Sequence, residues 1–494
     1  MRFLKILFCL IISVILILST VSCDNTDKAY IYFRLPEKPS TLDPQTAKTD
    51  AELLIVKNVF EGLLRKDQDG KIVCAIAKSY KKEKLTYTFE LRKDAKWSNG
   101  ENITAHDFEF AFKRAVSPKT QSPFVSRLFC IKSAKEIYNG NSKINTLGVK
   151  ALNDYTLQIE LAYEDENFEE ILTTAIAMPC NENFFNQCSG KYGLFSDTLL
   201  SNGSYRLAKW GKEVFGIRLY RNKEYNGQFI SKNAAVFLSH DDKLSAKDVL
   251  LENDADIAFI DCKDIKEVRT AEFKTVSYDN ICWFLTISDG FSKGIRKSLL
   301  TLANKEVFAN HLIDGYTIAN SIFPTVLNLN STASGMLAYN LQSAKELFKN
   351  EIKNLKDKKF PPNVTLYYFD DGFSKNIVND IVGHWQNNLG AFVNIETVSE
   401  PNVLLSQLKT QTYGMCIFPV RADSYLINEY LEKFGISYNK QNLKELQIKI
   451  LESNNIAPIM FQSTNIAYNK NLSNLQFEHG NGYIDFAFII KKEK

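Results

Sequence analysis

Histidine is scarce in this chain. Five residues, His106, His240, His311, His384 and His479, are spread over 494 positions, and no two sit at ligand spacing. That removes local support for a helical zinc motif of the H-E-x-x-H kind. Cysteine occurs nine times, but never as C-x-x-C. Beyond Cys9 and Cys23 it forms an odd, scattered set: Cys74, Cys130, Cys180, Cys188, Cys262, Cys282 and Cys416. Neither a zinc site nor a disulfide framework is visible, and at most one or two bridges are expected. G-x-S-x-G and G-x-x-x-x-G-K-[ST] are both missing, so no nucleophile elbow or nucleotide loop is present. "RKDQDG" at residues 65–70 resembles a calcium loop only superficially, because Arg65 stands at the first ligand position and no Glu closes it. We read it as a turn. No long basic run exists and net charge is only +3, which argues against nucleic acid as a partner. No cofactor and no metal are expected.

What is present describes an ordered, multi-domain protein. Hydrophobic residues make up 45% and charged residues 24%, and the length allows more than one core. At the N-terminus, Arg2 and Lys5 precede an apolar run over residues 6–18, and Ser19-Thr20-Val21-Ser22 leads into Cys23. The run is shorter than the roughly 20 residues of a spanning helix and reads as a secretory leader, residues 1–22. A Cys closing the cleavage zone resembles the lipobox of bacterial lipoproteins, although Thr20 replaces the usual Leu. That resemblance implies a lipid on Cys23 and a place in the cell envelope, at its periplasmic face or the cell surface.

Turn signals recur at Asp69-Gly70, Asn99-Gly100, Asn202-Gly203, Asn226-Gly227, Asp289-Gly290 and Asp371-Gly372. "LTYTFELR" alternates, with Tyr87, Phe89 and Leu91 on one face, and "YRLAKWGKEVFGIRLYRN" reads as two strands around Gly211. Helical spacing marks residues 51–64, 107–115, 295–312, 343–351, 375–389 and 424–434. No repeat or Pro/Gly linker separates consecutive domains, so a mixed α/β chain with domains built from discontinuous segments is expected. Within "KWSNGENITAHDFEFAFKRA", His106-Asp107 looks reactive. Local physics gives a plainer account. Asn99-Gly100 turns the chain, Thr104 and Asp107 form a capping box, and Phe108, Phe112 and Ala115 share a helix face.

The same stretch carries a resemblance. "YTFELRKDAKWSNGENITAHDFEFAFKRAVSPKT" is similar to the signature of the extracytoplasmic solute-binding proteins, family 5, of peptide/nickel ABC transporters, and most to the oligopeptide binders among them. "STLDPQTAKTD", "NVFEGLLRKDQDGKIV", "NGSYRLAKW…IRLYRNKEYNG", "GIRKSLLTLANKEVFANHLIDGYTIANSIFP", "HWQNNLGAFVNIE" and "IAPIMFQSTNIAYNKNLSNL" resemble further blocks in the family's order. The resemblance implies an α/β, two-lobed periplasmic-binding-protein-like fold (class II type) with an inserted domain and a hinge. Lobe I would comprise residues 23–55, 195–281 and 467–494, the inserted domain 56–194, and lobe II 282–466. It also implies a non-enzymatic receptor, monomeric and lipid-anchored. Such a receptor encloses an oligopeptide as an added strand and delivers it to ABC transporter permease subunits.

The implied site residues are Asp423 for the peptide's α-ammonium, Phe124 and Trp283 as rings against the ligand, and Ser40 and Arg421 nearby. Asp423 has a competing role, N-capping the helix expected from Ser424, and Phe124 lacks the hydroxyl of the family's Tyr. Other positions depart further. Val420 replaces a Trp, Leu408 and Ile417 replace basic residues, Pro401 replaces a Trp, and Arg421 stands where the family has the disulfide partner of Cys282. These departures keep a second reading open: a diverged surface lipoprotein of the same fold, serving sensing, adhesion or a non-peptide ligand.

Overall fold

Two strands of unusual length organise the molecule. The computed structural model describes residues 30–210, 216–231, 233–239, 244–303, 308–327, 338–398, 414–422, 427–432, 434, 436, 442–477 and 483–492. Within it, Lys274–Ile287 and Ile456–Tyr468 run antiparallel over 14 and 13 residues. Their first and last residues serve different neighbours. Asn465–Tyr468 lies between Lys274–Ser277 and Ile257–Ile260, whereas Ile281–Ile287 pairs with Gly414–Arg421. Register shifts fall between Asp279 and Ile281 and between Trp283 and Phe284. The ladder is thus weakened where the chain passes from one lobe to the other, which suits a hinge.

Around this pair the described strands form an eleven-stranded sheet. On one side follow Ile257–Ile260, Tyr30–Arg34, Ala235–Ser239, Ile217–Arg221 and Tyr205–Lys209. On the other follow Gly414–Arg421, Val364–Phe369 and Val393–Val398, and the short Tyr316–Ile318 adds to Ile456–Tyr468. The fold is the expected two-lobed α/β architecture. Within lobe II the long strand Lys274–Ile287 is buried on both faces over residues 282–287. Trp283, Leu285 and Ile287 face a core with the helices Lys293–Leu302 and Ser374–Leu389, while Cys282 and Phe284 face a second core with Phe323 and Tyr430. The alternation of one strand therefore feeds two cores. A four-stranded antiparallel sheet (Ala77–Glu83, Thr86–Leu91, Thr156–Glu160, Val149–Asn153) lies in the inserted region, and its hydrophobic core is continuous with that of lobe I.

The helix expected over 51–64 ends sooner, at Val59. Its terminal carbonyl is taken by the amides of Asn202 and Gly203, each 3.0 Å away. Asn202 also brackets Glu61, accepting from its amide at 3.0 Å and donating to its carbonyl at 2.8 Å. Asn202-Gly203 is therefore a docking point rather than a hairpin turn, and a Cβ on Gly203 would lie 2.9 Å from the Val59 carbonyl carbon. Helix Lys293–Leu302 likewise stops short of the expected 312. Leader residues 1–22, Cys23 and Asp423 lie outside the described residues.

The His106-Asp107 segment is architecture. Gly100 takes φ 87° and its amide donates to the Trp97 carbonyl at 2.9 Å, making the turn. Helix Ala105–Val116 follows, with Phe108, Phe112 and Ala115 fully buried. Asp107 accepts from the Thr104 amide at 2.7 Å, the Thr104 hydroxyl at 3.2 Å and the Trp97 indole at 3.4 Å. Burial pushes its carboxyl up to about 6 against these bonds. His106 points elsewhere, lying exposed 3.4 Å from Asp154, so the two neighbours do not form a dyad. All seven described cysteines are free. Cys282 pairs in register with Val420 and Cys416 with Thr286, which keeps the two thiols apart along adjacent strands.

Candidate functional site

A cavity of about 450 Å³ opens where three parts of the chain meet. The first is the start of helix Asp50–Val59. Thr49 caps it by accepting from the Glu52 amide at 3.4 Å, and Glu52 answers by accepting from the Lys48 and Thr49 amides at 2.9 and 3.1 Å. The other oxygen of Glu52 holds the Ser40 amide and hydroxyl and the Thr41 amide at 2.9, 2.6 and 3.2 Å. Burial alone would raise the Glu52 carboxyl. The amides and hydroxyl outweigh it and hold the group below its ordinary range. One buried carboxylate thus fixes the loop that presents Glu37, Lys48 and Asp50 to the cavity.

The second part is the inserted region. Phe124 sits half-buried at the head of the turn of helix Val125–Cys130, with the Arg127 guanidinium 4.3 Å from its ring centroid. Thr173, Thr174 and Met178 complete this wall, and Glu170 at the rim pairs with Lys66. The third part is Arg421, the last residue of strand Gly414–Arg421 in lobe II. Its guanidinium pairs with the Asp50 carboxylate, whose other oxygen lies 3.4 Å from the Tyr483 hydroxyl. Asp50 and Arg421 project from different hydrophobic cores, so this ion pair spans the two lobes.

Charge in the cavity is mixed. Lys48, Lys57, Arg127 and Arg421 face Glu37, Asp50 and Glu170. A second cavity of about 770 Å³ shares Lys57, Glu170 and Tyr483 with the first and extends to Val276 and Tyr278 on the crossing strand. The space is therefore elongated. Beside it, strand Gly414–Arg421 has only one full-length neighbour. Its parallel partner Val364–Phe369 reaches no further than Ile417, so Phe418–Val420 run on without a second strand among the described residues. Ala422 donates to Asn280 at 2.7 Å, so strand alternation aims the Pro419 position at the open side, where a residue without an amide hydrogen leaves no donor unsatisfied.

The expected site residues fare unequally. Phe124 and Arg421 both line the cavity. Ser40 does not; its hydroxyl is committed to Glu52. Trp283, expected to face a ligand, is instead fully buried in lobe II, its indole donating to Gln462 at 2.8 Å. Its place in the pleat turns it toward the helical core rather than the cavity. Asp423 cannot be placed, being outside the described residues. Asp50 and Tyr483 were not anticipated. The Thr49-x-x-Glu52 box marks the helix start that carries Asp50, whereas Tyr483 arrives from a distant part of the sequence with no local signal. Among the described residues no group of three or more His, Cys, Asp or Glu could hold a metal ion. No described helix is long and apolar enough to cross a membrane.

Comparison with known proteins gives a consistent picture. The description "Bacterial extracellular solute-binding proteins, family 5 Middle" matches residues 71–442. The chain is 26% identical over 412 residues to the oligopeptide-binding protein OppA of Bacillus subtilis, covering 79% of this chain and 74% of that one. It is also 26% identical over 367 residues to a dipeptide-binding protein of Lactococcus lactis, covering 69% and 67%. Among solved structures, peptide-bound OppA of Listeria monocytogenes superposes with a TM-score of 0.72 at 22% identity, over 95% of this chain and all of that one. The pheromone receptor PrgZ superposes at 0.75 with 22% identity, over 94% of this chain and all of that one.

Proposed function

The chain belongs to the bacterial extracellular solute-binding proteins of family 5, and from that premise we propose that it is a lipid-anchored receptor that captures peptides between its lobes and delivers them to an ABC permease. It is a binding protein, not an enzyme. The observation that carries the peptide reading is the elongated, two-signed cleft bounded by Phe124, Asp50 and Arg421. A peptide is a zwitterion with a polar backbone, and such a cleft offers a counter-charge to each end. On the open flank of Phe418–Val420 the Pro419 carbonyl is turned toward an extended ligand, and recognition through main chain tolerates many side chains. A volume of about 450 Å³ lies within the usual range of roughly 300–1,000 Å³ for small-ligand sites. The names of relatives that bind oligopeptides and dipeptides support the same class of ligand.

In this proposal Asp423 meets the peptide's ammonium, and lobe closure is a hinge motion about Asp279–Ile281. Cys23, at the end of the leader, carries the lipid that keeps the receptor at the membrane. Native mass spectrometry of the purified protein tests the ligand class, with co-purifying peptide masses expected. Asp423→Asn is expected to weaken peptide binding by about tenfold or more, the loss of one charge-assisted contact. Absence of any bound peptide, together with no thermal shift on adding mixed di- to hexapeptides, would sink the transport reading and favour the diverged-lipoprotein one.

A further inference from the structure

Four strands at one edge of lobe I turn an unusual face outward. Tyr30–Arg34, Ala235–Ser239, Ile217–Arg221 and Tyr205–Lys209 each alternate, and Ile31, Phe33, Val236, Leu238, Ile217, Leu219 and Leu207 enter the core. Two cross-strand rows run over the opposite face. One reads Tyr32, Phe237, Arg218, Lys209; the other reads Tyr30, Tyr220 and Arg206, with the small Ala235 buried between Tyr30 and Tyr220. The aromatics are open to solvent, Tyr30 at 41%, Tyr32 at 43% and Tyr220 at 36%. Phe237 stacks on Tyr32 with ring centroids 5.2 Å apart, and Arg218 lies 5.6 Å over Phe237. Lys491 adds a cation 5.4 Å over Tyr32 while bound to Asp256.

Two features of this face ask for an outside partner. No acidic residue occurs in any of the four strands. Lys209 and Arg218 also pair across a register irregularity that follows Leu207, which sets two like charges side by side, an arrangement that destabilises a sheet unless an anion intervenes. Among the described residues none of Arg206, Lys209 and Arg218 has a carboxylate partner. Rigid amphipathic aromatics mixed with cations are the composition that settles into the headgroup layer of a bilayer, with rings at the interface and charges on lipid phosphates. Position agrees. Tyr30 begins the first of these strands and lies seven residues from Cys23, a chain length that spans at most about 25 Å.

We propose that this outward sheet face of lobe I is a docking surface for an anionic lipid bilayer. Lying flat through this face, the receptor keeps the cleft, which is built elsewhere on the molecule, free for ligand. The face would supply the second membrane signal beside the lipid chain, and so set orientation as well as attachment. The proximity argument rests on the Cys23 anchor of the proposed function, whereas the composition of the face does not.

The test uses the chain from residue 24 onward, which lacks the leader and the lipid but keeps every described element. It is sedimented with vesicles of phosphatidylcholine, with or without phosphatidylglycerol. Wild type is expected to partition about tenfold or more into the anionic vesicles and to be released by salt. Arg206→Glu with Arg218→Glu should abolish that preference, and Tyr30→Ser with Tyr32→Ser should weaken binding to both vesicles. Peptide affinity should stay unchanged in both variants, which separates this proposal from the peptide-receptor reading. Equal partition into both vesicle types, or charge-reversed protein that binds like wild type, would overturn it. So would wild type that ignores vesicles and self-associates through this face.

Discussion

Replacing Asp107 by Asn tests whether the reactive-looking His-Asp pair is purely structural. Asp107 is 7% exposed, and burial raises its carboxyl from an ordinary 3.8 to about 6 despite three hydrogen bonds to one oxygen. An acid whose folded pKa lies above its unfolded one stabilises the fold most when protonated in both states. That stability is fully present below about pH 4 and is lost as pH rises through about 6. At 1.36 kcal/mol per tenfold change in proton affinity, the interval amounts to about 3 kcal/mol. Urea denaturation of wild type and Asp107→Asn across this range isolates the effect, because every other titrating group cancels in the difference. The wild-type advantage over Asn is expected to shrink by about 2–3 kcal/mol between pH 4 and pH 7. A difference that stays flat, or one that grows with pH, would mean that the hydrogen bonds outweigh desolvation and that the reasoning is wrong.

Three other perturbations follow from the same packing. Arg65 lies between Phe229 and Phe488, with its guanidinium on Asp485 and on Glu61 at 2.9 Å. Burial alone would lower its pKa, but the two carboxylates reverse that and keep it charged. Asp485→Ala should therefore cost about 3 kcal/mol in chemical denaturation, and a loss below about 1 would refute the strength of this network. Trp283→Phe should cost about 1–2 kcal/mol by orphaning the Gln462 oxygen while leaving peptide affinity alone; a large loss of affinity would return Trp283 to the binding site. Asp50→Ala and Arg421→Ala should show a coupling of about 1 kcal/mol in a double-mutant cycle, since both side chains are only about a quarter exposed. Simple additivity would deny that the pair links the lobes.

Much of the architecture was legible because it is written in local patterns. The alternation of residues 86–91, the Gly100 turn and the helix face of Phe108, Phe112 and Ala115 all appear as the pattern demands. Errors arose where distant segments intervene. The helix after Thr49 is cut at Val59 because Asn202 and Gly203 claim its last carbonyl, and nothing in residues 51–64 announces that contact. The site was legible only in part for the same reason. Arg421 and Phe124 meet at one cavity although 297 positions separate them in the chain, and the residue that completes the ion pair, Asp50, is supplied by another lobe. Trp283 shows the limit of positional carry-over. The strand is where it was expected, yet register and pleat turn its ring into the core.

The claim that peptides bind between the lobes is tested most directly by titration calorimetry of synthetic tri- to pentapeptides into protein stripped of ligand by unfolding and refolding. The account predicts saturable binding with a negative heat-capacity change, weakened by Phe124→Ala and by Arg421→Ala, because both side chains border the cavity. Heats no larger than dilution for every peptide would contradict it, as would affinity indifferent to both substitutions.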